Sequence, residues 1–279
     1  MAKKEKKHPD EMSFLDHLEE LRWHLIRATL AVVIIGVVAF IFKGTLFKII
    51  FGPQSPDFIS YDILCEISRF FGAEKGCIAD GDMDFIIQSR KVAGQFSAAI
   101  WTSIMAGVVI GFPYILYEFW KFISPGLYEN ERKSSKGFIV VASLLFFMGA
   151  AFGYFVVAPL SINFLATFKI SEAVQNEFDI DSFIGLVRAS VLASGFIFEL
   201  PIIMYFLTKI GLVTPEFLKK NRKYALVIVL ILAAIITPPD ISTQVIVAIP
   251  IIILYEVSIF ISRGVIRREK RRLKKAGLA

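Results

Sequence analysis

Carboxylates are the side chains in this chain with the clearest chemical potential. Glu20 stands in His17-Leu-Glu-Glu-Leu-Arg22, with His17 and His24 one turn away on either side, and Glu129 and Glu131 follow the Pro125-Gly126 turn. A carboxylate matches the planar fork of a guanidinium, which donates two parallel charge-assisted hydrogen bonds of roughly 1.5–3 kcal/mol each; an ammonium cannot reproduce that geometry. Such a surface can tell Arg from Lys. Against this stands a plainer reading, in which the charges of residues 13–25 are the solvated face of an interfacial helix, with Ser13 as cap and Phe14, Leu18, Leu21 and Leu25 on its apolar side.

A second group of ionisable residues falls inside apolar stretches: Arg188, Glu199 and Glu256. Ionisable groups at membrane depth demand a reason. Arg188 and Glu256 are near enough to an end to snorkel or pair. Glu199, followed by Pro201, is not; it either faces a polar cavity or is protonated and hydrogen-bonded to another helix. The three histidines lie at positions 8, 17 and 24 with no matching ligand set, and no HExxH, GxSxG, phosphate loop or dinucleotide turn is present. We therefore expect no enzyme, no metal and no cofactor.

The elements that hold these groups are set by hydropathy. At about 1.5 Å per residue, roughly 20 apolar residues cross a 30 Å hydrocarbon core. Six segments qualify or approach this: about Leu25–Phe42, Phe96–Trp120, Phe138–Phe164, Phe183–Leu207, Tyr224–Ile236 and Thr243–Ser262. The fold class is an all-α polytopic membrane protein with six transmembrane helices. Residues 1–24 form an amino-terminal cytoplasmic segment with an amphipathic helix, 25–263 the transmembrane domain and 264–279 a basic cytoplasmic tail. The fifth segment is short enough to predict mismatch with the bilayer, and Pro238-Pro239-Asp240 should fold segments five and six into a tight hairpin.

Basic residues mark the two sides. Lys and Arg number 5 in residues 1–22, 4 in 121–136, 5 in 209–223 and 8 in 263–275, against 1 in 159–182 and none in 237–243. The first gap, 43–91, holds 6 basic and 7 acidic residues, but long loops weigh little in the positive-inside rule. Both termini are expected in the cytoplasm, and the net charge of +6 reads as an orientation signal that calls for no nucleic acid. Within loop 43–91, Ile59, Ile63, Ile67 and Phe70 are spaced as in a helix that Gly72 would end. The only two cysteines, Cys65 and Cys77, fall on the outer side, where a disulfide is permitted and two free thiols remain possible.

Five motifs, in order and spacing, resemble the TatC family: His17–Arg22, Phe112–Arg132, Phe198-Glu-Leu-Pro201, Leu218–Tyr224 and Thr237-Pro-Pro-Asp240. The resemblance runs from about Ser13 to Arg263. It implies a subunit of the twin-arginine protein translocase, in the bacterial inner membrane, that recognises twin-arginine signal peptides. Small single-span TatA- and TatB-type partners would join it in a multimeric complex, and the proton-motive force would drive export of folded proteins. By motif position it assigns Glu20, Glu131, Arg22 and Phe122 to the signal peptide, Glu199 to an intramembrane polar site, and Thr237, Gln244, Asp240 and Pro53 to partner contacts. The long first outer loop, its cysteine pair and Arg188 depart from the family pattern. A proton-coupled small-solute transporter is the rival, motivated by Glu199 and by Pro113, Pro201 and Pro250, and weakened by the lack of an inverted repeat.

Overall fold

A computed structural model describes residues 14–55, 57–70, 85–123, 135–171 and 173–275. The chain forms two compact units: one gathers Met1–Leu46 with Ala99–Leu144, the other Phe47–Ala98 with Leu145–Ala279. Among the described residues, five helical stretches are long and apolar enough to cross a membrane: Leu18–Ile41, Gly94–Ile123, Gly137–Thr167, Ile180–Lys209 and Thr243–Arg271. They match five of the six expected segments. The sixth is helical too but falls below that length.

The first unit is built on α1 (Phe14–Ile41) and α4 (Gly94–Ile123). The separate amphipathic helix expected before the first span does not exist as such, because its residues are the first turns of one continuous α1. No proline or turn residue interrupts the chain there, so nothing stops the helix at the interface. Helix α4 likewise runs through Pro113 without a break. Small residues on α4 meet α1: at Gly107 a Cβ would press into the Val32 carbonyl, and a Cβ at Gly36 would come within 3.2 Å of the Ser103 carbonyl. Close backbone approach of this kind is how helices associate where no hydrophobic gain is available between them. The outward face of α1 stays apolar and exposed, with Leu30, Val33, Ile34, Val37 and Val38 among its residues.

The second unit opens with α2 (Lys43–Ile50), a 3-10 turn at Gly52–Gln54 and α3 (Ile59–Phe70). Helix α3 lies where the spacing predicted it, but Ile59 and Ile63 are exposed, and the face turned inward carries Tyr61 and Cys65. Tyr61 is wholly buried and donates its hydroxyl to the Pro53 carbonyl at 2.6 Å. Burial pushes that hydroxyl well above its ordinary value of 10.0. Gly72, the expected terminator of α3, lies outside the described residues. Strand β1 (Ile86–Gln88) pairs in parallel with β2 (Glu177–Asp179), Ile87 facing Phe178 in register, and Arg90 meets Glu177 at 2.8 Å beside it.

The remaining described elements are helices, the first of which begins in the first unit and enters the second at Leu145. Helix α5 (Ser135–Phe152) passes through a π-turn at Gly153–Val157 into α6 (Ala158–Thr167). At Gly153 a Cβ would collide with the Ser190 carbonyl, so only glycine lets the π-turn lie against α7. Helix α7 (Ile180–Phe198) starts on Asp179, whose side chain accepts from the Asp181 amide, and breaks at Glu199 before α8 (Leu200–Lys209). Pro201 has no amide to offer, and the helix restarts with Ile202 and Ile203 donating to the Glu199 carbonyl.

Short α9 (Pro215–Lys220) leads to α10 (Arg222–Ile236) and α11 (Ile241–Lys275). At 15 residues α10 rises only ~22 Å. Helix α11 passes straight through Pro250 and continues past the apolar segment that ends about Ser262, through the basic stretch to Lys275. Val157, Val229, Ala233, Val247, Ala248 and Ile251 form the buried core here.

Candidate functional site

Three of the four expected recognition residues are described, and all three lie in the first unit. Glu20 and Arg22 lie on α1, Glu20 half-buried and Arg22 exposed; Phe122 lies half-buried near the end of α4. Glu131 is outside the described residues, as are Glu129 and the Pro125-Gly126 turn. The side chain of His17 is not described either.

What joins the two helices at this level is a pair the sequence reading did not single out. His24, one turn after Glu20, is 7% exposed and donates from Nδ1 to Glu118 Oε2 at 2.6 Å. Glu118 is 3% exposed, lies inside an apolar span and was missing from the expected set of intramembrane charges. Tyr114 hydrogen-bonds the same carboxylate, and Arg27 Nη1 reaches it at 3.9 Å. The His24 ring also faces Phe122 at 6.2 Å between centroids. Glu20, His24 and Arg27 recur at i, i+4 and i+7, so one stripe of α1 carries all three. The sequence held a signal for this, since Glu118 is the one acidic residue within an otherwise apolar run from Phe96 to Trp120.

This arrangement fixes geometry as well as charge. The carboxylate of Glu118 receives two donors and sits by a guanidinium, so its acceptor capacity is engaged and its burial is compensated. Locking His24 to α4 sets the rotation of α1 about its axis, which in turn sets where Glu20 stands relative to Phe122.

The other expected sites fall in the second unit. Glu199 is 6% exposed at the break between α7 and α8, and its Oε1 has no hydrogen-bond partner among the described residues. Arg188 is half-buried on α7, with Nη1 enclosed and without such a partner among the described residues, and Asp181 near the start of the helix acts on its charge. Glu256 pairs with Arg222 at 2.7 Å, tying α11 to the start of α10.

At the hairpin turn, Asp240 accepts from both the amide and the hydroxyl of Thr243, at 2.8 and 2.7 Å, and so caps α11. Thr237 is buried and bonds the Ala233 carbonyl, and Gln244 reaches the Leu230 carbonyl at 3.0 Å. These three share one turn. Pro53 belongs to a different feature, the 3-10 turn that receives Tyr61. Cys65 is buried and disulfide-bonded; Cys77 lies outside the described residues.

Comparison with known proteins agrees with this architecture. The family model described as Sec-independent protein translocase protein (TatC) matches residues 16–250. A Sec-independent protein translocase protein TatC from Blattabacterium sp. subsp. Periplaneta americana (strain BPLAN) is 43% identical over 92% of this chain and 97% of its own length. One from Desulforapulum autotrophicum (strain ATCC 43914 / DSM 3382 / VKM B-1955 / HRM2) is 37% identical over 94% of this chain and 87% of its own. The crystal structure of a Twin Arginine Translocase Receptor, TatC, superposes with a TM-score of 0.67 at 34% identity, covering 89% of this chain and 99% of that one. With a match across most of its length in sequence and in fold, this chain belongs to the TatC family of Sec-independent protein translocase proteins.

Proposed function

We propose that this translocase component is the receptor for twin-arginine signal peptides, with Glu20 and Glu131 as the carboxylates that take the two guanidinium groups and Arg22 and Phe122 beside them. The observation that carries the reading is the clamp of His24 on Glu118, which holds Glu20 and Phe122 in one unit and leaves Glu20 without a competing buried role. The solved relative's description as a twin-arginine receptor supports the same reading. In this proposal α10 makes the sixth crossing as the short arm of its hairpin with α11. Both termini then face the cytoplasm of a bacterium, and the protein sits in its inner membrane.

The same proposal places single-span TatA- and TatB-type subunits in a complex with it, around Thr237, Gln244 and Asp240, with Pro53 as an outer contact. Export of folded cargo draws on the proton-motive force, and Glu199 is the buried polar group available to it. In the same reading the partner of Cys65 is Cys77, the only other cysteine in the sequence.

Binding of a fluorescent twin-arginine peptide to the detergent-purified protein tests the core of this reading, beside a matched peptide with Lys-Lys. Selective binding of the arginine peptide, weakened at least tenfold by Glu20→Ala and by Glu131→Ala, is the expected result; each lost charge-assisted pair accounts for roughly that factor. Equal binding of both peptides, or full binding by both folded variants, removes the site.

A further inference from the structure

Past Ser262, where its apolar run gives way to basic residues, α11 carries a groove that the translocation reading does not use. It encloses about 320 Å³ between α11 and α9, and its charged lining is Arg263, Arg267, Lys270, Arg271 and Lys274 with Glu216 opposite. Five cations face one carboxylate. Among the described residues, none of the five has an ion pair with a carboxylate within 4.0 Å. Such a concentration of unneutralised charge repels itself unless an anion enters.

The direction of the helix says which anion. At 100° per residue, Ile253, Phe260, Arg267, Lys270 and Lys274 fall on one stripe of α11. The lower end of that stripe is apolar and uncovered, Ile253 being 58% and Phe260 76% exposed. The upper end is the groove. From Ile253 to Arg267 the rise is ~21 Å, comparable with one leaflet of a bilayer from acyl chains to phosphate. A soluble anion would use the cations alone; a phospholipid uses the whole stripe. The guanidinium of Arg267 supplies a bidentate donor set suited to a phosphodiester, and Lys270 a point charge beside it.

We propose that this groove binds the headgroup of an anionic phospholipid whose acyl chain lies along Phe260 and Ile253. The occupant fastens the extended end of α11, and α9 with it, to the membrane surface. Net positive charge at the interface attracts any anionic leaflet; the groove adds a place where one lipid is held.

Native mass spectrometry of the intact protein in neutral detergent tests this, with phosphatidylglycerol, phosphatidylcholine, soluble glycerophosphoglycerol and an oligoglutamate peptide as probes. Phosphatidylglycerol should be retained over phosphatidylcholine, and Arg267→Gln/Lys270→Gln should weaken that retention by roughly tenfold or more, since each basic residue near an anionic lipid surface accounts for about fivefold. Lys43→Gln/Lys48→Gln, which removes the same charge from exposed sites on α2, should leave it unchanged, and both variants should keep the parental melting temperature in phosphatidylcholine. The proposal fails if phosphatidylglycerol is not preferred, if both double variants lose it equally, or if retention survives Arg267→Gln/Lys270→Gln. It also fails if glycerophosphoglycerol or oligoglutamate binds as strongly as the lipid, which would make the groove a site for a soluble anion or an acidic segment.

Discussion

Glu118 and Glu199 expose nearly the same small fraction of their surface, 3% and 6%, and they keep different company. Glu118 receives His24 at 2.6 Å and Tyr114, with Arg27 at 3.9 Å, whereas Oε1 of Glu199 is enclosed without a hydrogen-bond partner among the described residues. A buried carboxylate with donors on it helps hold two helices in one geometry. Glu199 has the Phe146 backbone as a donor but leaves Oε1 unpartnered among the described residues, so its burial is less fully compensated. The difference separates structure from work: the first carboxylate belongs to the frame that sets Glu20 in place, and the second is a liability that stability alone would have removed.

Truncating the paired carboxylate should give the larger effect. Glu118→Ala strands the His24 ring in an apolar seam and should lower unfolding free energy in detergent by about 3 kcal/mol, while Glu118→Gln, which still accepts one hydrogen bond, should lose about half as much. Denaturant unfolding of the three proteins under one set of conditions measures both. If Glu118→Ala costs less than about 0.5 kcal/mol, the clamp is an ornament and the contrast with Glu199 collapses.

The less compensated carboxylate should behave in reverse. Glu199→Leu removes a desolvated acid and puts apolar volume in its place, so stability should stay within about 1 kcal/mol of the parent or rise. Export of a folded cargo, measured in the same strain, should nevertheless fall sharply for Glu199→Leu. A stability loss as large as that of Glu118→Ala would show that Glu199 is held by neighbours after all, and would erase the distinction between the two sites.

The contrast was only half visible in the sequence. Glu199 stood out because an acid next to Pro201 in an apolar run is anomalous on local grounds, and local rules also anticipated Asp240 at the hairpin, the shortness of α10 and the position of α3. Glu118 could be seen as a charge but not as a partner, since His24 lies 94 residues away and spacing says nothing over such a distance. The same limit hid the parallel pairing of Ile86–Gln88 with Glu177–Asp179, strands too short to alternate visibly. Burial on α3 misled for another reason. Ile59 and Ile63 face outward and Tyr61 inward, because the space under the helix is fixed by the Pro53 turn and not by hydrophobicity alone. The continuity of α1 and the extension of α11 to Lys275 were missed because a change in polarity was read as a change in structure, and a helix needs no such boundary when its backbone bonds are internal.

Tyr61 offers the mildest probe of the same principle, being buried and satisfied but uncharged. Its hydroxyl donates to the Pro53 carbonyl, and burial holds its pKa above the unfolded value of 10.0. The folded state therefore keeps the proton that the unfolded state gives up, so the stabilisation is fully present below pH 10 and is lost as pH rises beyond it, at about 1.4 kcal/mol per unit. Tyr61→Phe should cost about 1 kcal/mol at pH 8, where only the hydrogen bond is missing. Because phenylalanine has no proton to lose, that deficit should shrink above pH 10 and reverse by about pH 11. Unfolding curves of parent and variant from pH 8 to 11 give the crossing directly. Parallel curves across that range would mean that Tyr61 ionises as readily folded as unfolded, and that enclosure beside Pro53 does not exclude water.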